Sequence, residues 1–177
     1  MAQQQRQNRR PRGGHEQAKR DFEQKVVEVK RVTRVVAGGK RMRFRALVVI
    51  GDKKGKVGIG LRKGGDVSEA VQKAVNAAKK TMTLVPIVND TIPHEVKIKF
   101  KSSVVFLKPA RPGTGIIAGG AIRSVLDLVG VKNVLSKMLG SSNKVNNVMA
   151  TYLALTGMRN QTHVQAAKQM IPEKFNA

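Results

Sequence analysis

The sequence predicts an α+β protein made of two small units, and three patterns carry that expectation. Met42, Phe44, Ala46, Val48 and Ile50 alternate with Arg43, Arg45, Leu47 and Val49, and Val57, Ile59 and Leu61 alternate with Gly58, Gly60 and Arg62. That period of two is the mark of strands. Val67, Val71, Ala74, Val75, Ala78 and Met82 then follow the helical repeat. After a break holding Pro86, Asn89, Asp90 and Pro93, both patterns start again.

Taken in order, residues 1–20 are Gln-, Arg-, Gly- and Asn-rich with almost no apolar side chain. Such a stretch cannot bury enough surface to offset its ordering entropy, so it reads as a disordered basic arm. A solvated tail without a partner and an organellar transit peptide are the alternatives. Val26 to Val36 favours strand, but Val32 falls out of phase with Val27 and Val29, predicting a bulge or an end near Arg31. Arg31 to Arg41 then reads as a long basic loop, with Gly38 and Gly39 allowing the backbone to turn back or approach another backbone. One face of the Met42–Ile50 strand goes to a core, while the outer face begins basic. Gly51 to Gly55 is a hairpin loop. The glycines of the next strand predict something large packed closely on that face.

Asp66 and Glu69 have the spacing of a capping box before the helix. The first unit spans 21–85, a linker 86–93, the second unit 94–158 and a loosely ordered tail 159–177. In the second unit Val96, Ile98 and Phe100 alternate with Lys97, Lys99 and Lys101, Ser102-Ser103 turns the chain, and Val104 to Leu107 forms another strand that Pro109 and Pro112 end. Ile122, Val125, Leu126 and Val129 mark a helix stopped by Gly130. The spacing of Val131, Val134, Leu135, Met138 and Leu139 suits a helix, and its Val content and short length also allow a strand. Asn143 caps a last helix, with Val145, Val148, Met149, Tyr152 and Leu153 inward and Gly157 at its end.

Charge carries the functional signal. The 177 residues hold 34 Lys and Arg against 11 Asp and Glu, a formal net charge of +23. That much self-repulsion calls for a polyanion nearby, nucleic acid before an anionic membrane surface. Between Val29 and Gly65 lie Lys30, Arg31, Arg34, Lys40, Arg41, Arg43, Arg45, Lys53, Lys54, Lys56, Arg62 and Lys63, with Asp52 the one carboxylate. Lys73, Lys79 and Lys80 read instead as a solvated helix face. Aromatics make up 3% with no Trp, so the base-stacking platform of single-strand binders is nearly absent. Recognition should then run through phosphates, sugars and shape. The chain has no Cys, which rules out disulfides and thiolate metal sites. The apolar runs are too short for a membrane span, and the N-terminus lacks the apolar core of a secretory signal. These features fit the cytoplasm.

Chemistry finds little support. Gly113-Thr114-Gly115 through Ala118 matches the dinucleotide fingerprint, but Pro109 and Pro112 interrupt the approach and no acid stands about 20 residues on. A tight turn into a helix whose N-terminus faces an anion, such as an RNA phosphate, fits better. Ser141 and Lys144 fit S-x-x-K without companion motifs. His15, His94 and His163 are scattered, and the acids form no pair for acid/base work. No enzyme, metal or cofactor is expected.

The runs KRVTRVVAGGKRMRFRALVVIGDKKGKVGIG (30–60), VSEAVQKAVNAAKK (67–80) and PGTGIIAGGAIRSVLDLVGVKNVLSKMLGSSN (112–143) resemble those of the bacterial small-subunit ribosomal protein five family, from about Phe22 to Gly157. The resemblance implies a first domain similar to a double-stranded-RNA-binding fold (βββα, without that fold's first helix). It implies a second α/β domain of the kind named for this family, with Val134–Gly140 as a strand. It also implies a non-enzymatic part of the small subunit that binds 16S-type rRNA. Such a protein touches neighbouring proteins four and eight, with protein three a further candidate. It lies near the path by which mRNA enters, influences decoding accuracy and contributes to subunit assembly. The segment Arg31 to Arg41 matches the family's projecting RNA-binding loop, near where spectinomycin acts. Thr33 falls inside it, and Arg111, Gly113, Thr114, Gly115, Gly119, Gly120 and Arg123 belong to or border the matching glycine loop. The chain departs from the family at Ile59-Gly60-Leu61-Arg62, where an aromatic and a Gly are common, and at Arg111-Pro112, which makes that loop more basic and stiffer. The rivals are a dinucleotide-dependent enzyme and a free-standing double-stranded-RNA-binding regulator.

Overall fold

The computed structural model describes residues 22–159. The basic arm and, beyond Arg159, the tail lie outside them. Four strands form the first sheet in the order β1 (Glu23–Val36), β2 (Gly39–Gly51), β3 (Lys56–Gly64), β4 (Thr83–Leu84), antiparallel throughout. Helix α1 (Val67–Lys80) lies between β3 and β4 in the chain. The second sheet runs β5 (Val96–Phe100), β6 (Ser103–Pro109), β8 (Val134–Gly140), β7 (Ile116–Ile117), and only the β7–β8 pairing is parallel. Helices α2 (Gly120–Val129) and α3 (Lys144–Thr156) complete the chain's order.

The glycine face of β3 receives α1. A Cβ on Gly58 would stand 2.3 Å from the Ala78 carbonyl oxygen, and one on Gly60 only 1.9 Å from that of Ala74. The helix answers with its smallest side chains. Ala70, Ala74, Ala78 and Val75 are buried, whereas Val67 is exposed and Val71 only partly covered. The expected stripe is therefore rotated toward the alanine row, because strand and helix backbones approach more closely than larger residues permit. The expected capping box does not close: the Asp66 side chain makes no cap bond and takes the Ser68 hydroxyl at 2.7 Å, while Glu69 reaches one residue further back and accepts from the Gly65 amide at 2.6 Å. Lys73 and the Gly65 amide hold the Glu69 carboxyl below the usual carboxylate range, and the Ser68 hydroxyl does the same for Asp66.

The opposite face of the first sheet is buried too. Ala46, Val48 and Ile50 pack under α1, while Leu47, Val49, Val57 and Ile59 join Val105, Leu107, Ile122, Leu126 and Leu155 in the larger core. The outer face expected for β2 thus stays basic only up to Arg45. From Ala46 onward both faces are covered. The β2–β3 loop finishes this join. The Lys53 and Gly55 amides donate to the carbonyls of Leu128 and Val129 at 3.0 and 2.9 Å, satisfying the open C-terminal end of α2. Gly130 ends that helix at φ 94, and a Cβ there would strike the Lys53 carbonyl oxygen at 2.2 Å. Tyr152 on α3 adds a latch, donating to the Thr81 carbonyl at 2.8 Å and accepting from the Thr83 hydroxyl at 2.7 Å. The segment 86–93 is packed rather than free-running: Ile92 is buried, and the Asp90 carbonyl accepts from the Lys132 and Asn133 amides.

Several local expectations change. Arg31–Arg41 is not a loop: β1 continues to Val36, and Ala37-Gly38 turns it into β2. The bulge falls between Val26 and Glu28, so the valines after it resume a regular register instead of ending the strand. Ser103 is buried at the start of β6, and Lys101-Ser102 makes the turn. Val134–Gly140 is a strand. Asn143 does cap α3, accepting from the Val145 amide at 3.1 Å. That helix buries Asn147, Val148, Ala150, Thr151, Ala154 and Leu155, leaving Leu153 exposed. The inward stripe is rotated because Asn147 and Thr151 are tolerated inside by local hydrogen bonds to Ser141 and Asn147 carbonyls. The two-residue strands β4 and β7 are too short to leave a periodic trace.

Two substitutions separate tight glycines from free ones. Gly60→Ala should lower unfolding stability by about 3 kcal/mol in a denaturant titration, because helix and strand must part. Gly38→Ala, with nothing within 4 Å of the new methyl, should change it by less than about 0.5 kcal/mol.

Candidate nucleic-acid interface

Directly paired residues of an antiparallel hairpin share a face, so the β1–β2 register sorts its charges. Lys30 pairs Arg45, Val32 pairs Arg43 and Arg34 pairs Arg41; Arg45 also pairs Lys63 on β3. Lys30, Arg34, Arg41, Arg43, Arg45 and Lys63 therefore lie on one side. It is the same side that further along buries Leu47 and Val49. The other side carries Arg31, opposite Phe44, Thr33, opposite Met42, and Lys40, opposite Val35. Val35 is 75% exposed and Met42 53%, so this second side is half apolar and uncovered.

Most of these cations lack a partner. Glu28 meets the Lys30 ammonium at 3.4 Å. Among the described residues, Arg31, Arg34, Lys40, Arg41, Arg43, Arg45, Arg62 and Lys63 make no ion pair. The row Lys30–Arg45–Lys63 sets like charges directly opposite one another, an arrangement that destabilises a sheet unless an anion lies across it. At the turn, Gly39 takes φ 137, which a side chain would resist, and both Gly38 and Gly39 face open space.

The remaining candidates are placed elsewhere. Lys53, Lys54 and Lys56 sit at the far end of β2 from the turn. Lys53 is committed: its ammonium lies 2.6 Å from Glu23 and its backbone caps α2. Asp52 accepts from the Lys54 and Lys56 amides at 2.7 and 2.9 Å, shaping the loop and leaving both side chains exposed. Arg62, paired with Ala46, belongs to the α1 side of the sheet. Arg111, Gly113, Thr114, Gly115, Gly119, Gly120 and Arg123 lie in the second unit, around β7 and the start of α2.

That glycine loop is built differently from an anion cradle. The Gly113 and Gly115 amides both donate to the Asn133 side-chain oxygen, at 3.0 and 3.1 Å, and Gly113 and Gly115 adopt φ 90 and 74. Asn133 is 8% exposed, so its amide group is a buried clip that consumes the donors a phosphate needs. Gly119 caps α2 without a side-chain bond, and a Cβ there would meet Met138 at 2.4 Å, the movable end of its side chain. Arg111, Thr114 and Arg123 remain exposed. Sequence reading missed Asn133, whose role depends on a contact across 20 residues that no local pattern announces. The dinucleotide reading fails on topology: β6 precedes the glycines and runs antiparallel to β8, and β7 lies inside the motif.

Crowded, unpaired cations make the free protein salt-sensitive. Adding salt from low ionic strength to about 0.5 M should raise its melting temperature by screening the hairpin rows. Arg43→Gln should flatten that rise, whereas Lys73→Gln, which removes a paired lysine, should not.

Comparison with known proteins closes the question of kinship. The family model described as Ribosomal protein S5, N-terminal domain, matches residues 22–86, and that described as Ribosomal protein S5, C-terminal domain, matches residues 98–169. The chain is 48% identical over 140 residues to small ribosomal subunit protein uS5 of Thermotoga maritima, covering 79% of this chain and 77% of that one. It is 45% identical over 155 residues to the uS5 protein of Chloroflexus aurantiacus, covering 88% and 87%. It is 52% identical over 139 residues to protein uS5c of Spinacia oleracea, covering 78% of this chain and 45% of that longer one. The family is one of ribosomal structural proteins and not of enzymes, and with both of its domains matched in order, this chain belongs to the ribosomal protein S5 family.

Proposed function

We propose that this chain is a structural component of the small ribosomal subunit that grips 16S-type rRNA through one face of the β1–β2 hairpin. The observation that carries this reading is the sorting of Lys30, Arg34, Arg41, Arg43, Arg45 and Lys63 onto one side, with Glu28 the one carboxylate paired there. Fixed cations at strand spacing suit the regular phosphates of folded RNA, and releasing counterions from that RNA supplies the affinity. Arg31, Thr33 and Lys40 touch a second stretch of RNA from the other side of the arm. Lys54, Lys56 and Arg62 hold backbone near the body. Lys53 contributes structure rather than affinity, since Glu23 already neutralises it. Arg111, Thr114 and Arg123 supply the contacts of the glycine loop; Gly113 and Gly115 shape it through Asn133 and leave Gly119 and Gly120 as the places where another backbone comes close.

The same reading divides the chain into an RNA-binding unit, 21–85, and a second unit, 94–158, that faces protein neighbours four and eight, with protein three a further candidate. It places the chain near the path by which mRNA enters, where a rigid contact between rRNA segments contributes to assembly and decoding accuracy. The compartment is the bacterial-type cytoplasm. No helix among the described residues is long and apolar enough to cross a membrane.

The salt dependence of binding tests this. Purified full-length chain titrated with its rRNA junction should give a log-log slope steeper than roughly −4, as about six engaged phosphates require. Arg41→Ala and Arg43→Ala should each reduce the slope by about 1 and weaken binding evenly across sequences. Lys53→Ala should leave the slope unchanged. A flat salt response in the unaltered chain contradicts the reading.

A further inference from the structure

The β1–β2 ladder breaks once, at Val27. Pairing is regular from Glu23↔Gly51 to Val26↔Val48 and again from Glu28↔Leu47 to Val36↔Gly39, with Val27 the extra residue between. The place of the break is telling. Opposite it, Val48 and Leu47 are buried, while Arg45 and Arg43 soon afterwards open the cationic side. Val27 thus stands where β1 leaves the body and becomes one edge of the arm. Val27 and Glu28 are consecutive and both half-buried, with exposed residues before and after them, and Val27 packs against the larger core. In a regular strand consecutive side chains go to opposite sides. An inserted residue instead bends the strand and increases its twist. The bend therefore acts at the root of the arm. From Val27 to Ala37 the strand covers roughly 33 Å, so about 10° of bend carries the tip about 6 Å.

We infer that Val27 is a positioning residue: the extra residue aims the arm so that its cations and those of the body, Lys54, Lys56 and Arg62, meet one folded RNA together. Pairing alone does not require it. Without Val27, Val26↔Val48 would follow directly on Glu28↔Leu47, and every other pair, every cation and the side each cation takes would be unchanged. What the extra residue alters is the direction of the arm. Two groups of cations on one rigid body reinforce each other only where their separation matches that of their targets. The inference rests on the reading of the arm as an rRNA grip, and adds the angle at which the arm is held.

The absence of Cys from the chain makes that angle measurable. Spin labels at Ala37→Cys on the turn and Asn76→Cys on α1, both exposed positions, report the distance from tip to body in the full-length protein. Deleting Val27 should shift that distance by about 5 Å or more. It should weaken binding to the rRNA junction about tenfold, while affinity for a plain RNA duplex, which the arm alone can grip, stays within about twofold. Val27→Ala, which keeps the extra residue, should match the unaltered chain in all three measurements. An unchanged distance, a shifted distance with junction binding intact, or equal losses on junction and duplex overturns the inference and leaves the hairpin reading standing. So does a deletion variant without a cooperative melt, or a Val27→Ala protein that copies the deletion, since either makes Val27 a matter of folding or packing. A flat salt response in the unaltered chain overturns both readings.

Discussion

Everything in this molecule depends on β2 being buried on both sides from Ala46 to Gly51 and exposed on both from Gly39 to Arg43. From Ala46 to Gly51 the strand is shared: even-numbered side chains sit under α1 and odd-numbered ones in the larger core. The sharing is possible only because β3 offers glycines to the alanine row of α1. Each large side chain sealed there contributes about 1.5–3 kcal/mol, enough in sum to anchor the strand firmly. The other half of β2, with β1 beside it, then extends outward as an arm whose orientation is fixed by the part that is clamped.

That arm is where the sequence concentrates cations that the other described residues do not neutralise. Acids elsewhere are used for joints instead. Glu23 takes Lys53, Asp127 takes Lys25 and Asp90 takes Lys132, all in or near the join between the two sheets. Exposed pairs of this kind add little stability individually, but they keep the seam from repelling itself. Among the described residues, the outer half of the hairpin receives only Glu28. The free protein thus carries an electrostatic cost in its arm, and a polyanion laid along the arm removes it.

Much of this was legible before any coordinates. The alternation from Met42 to Leu61, the glycine face of β3, the Gly130 stop and the Asn143 cap each follow from local chemistry, and each is present. What escaped shares a cause. Val32 is out of phase with Val29 because the two lie on opposite sides of a regular strand, opposite Arg43 and Ala46, so an extended strand with valines on both sides reads as a loop. Leu47 and Val49 alternate with Ala46 and Val48, which hides the fact that both sets are inside; only the presence of a second unit makes the outer set apolar. Ala70 was passed over beside Val67 and Val71 because periodicity weighs hydrophobicity and not the closeness that glycines opposite permit. The Asn133 clip and the Tyr152 latch join residues far apart in the chain, and no spacing rule finds them. For the site, the cations were found by charge alone, but their division into two sides needed the register.

The most direct measurement is a high-resolution cryo-electron microscopy map of the small subunit containing this chain, read at the hairpin. The guanidinium and ammonium groups of Arg34, Arg41, Arg43, Arg45 and Lys63 should lie within about 4 Å of rRNA phosphate oxygens, all approaching from the side that continues into Leu47 and Val49. Those groups facing open solvent, with rRNA distant from both sides of the arm, contradict the account.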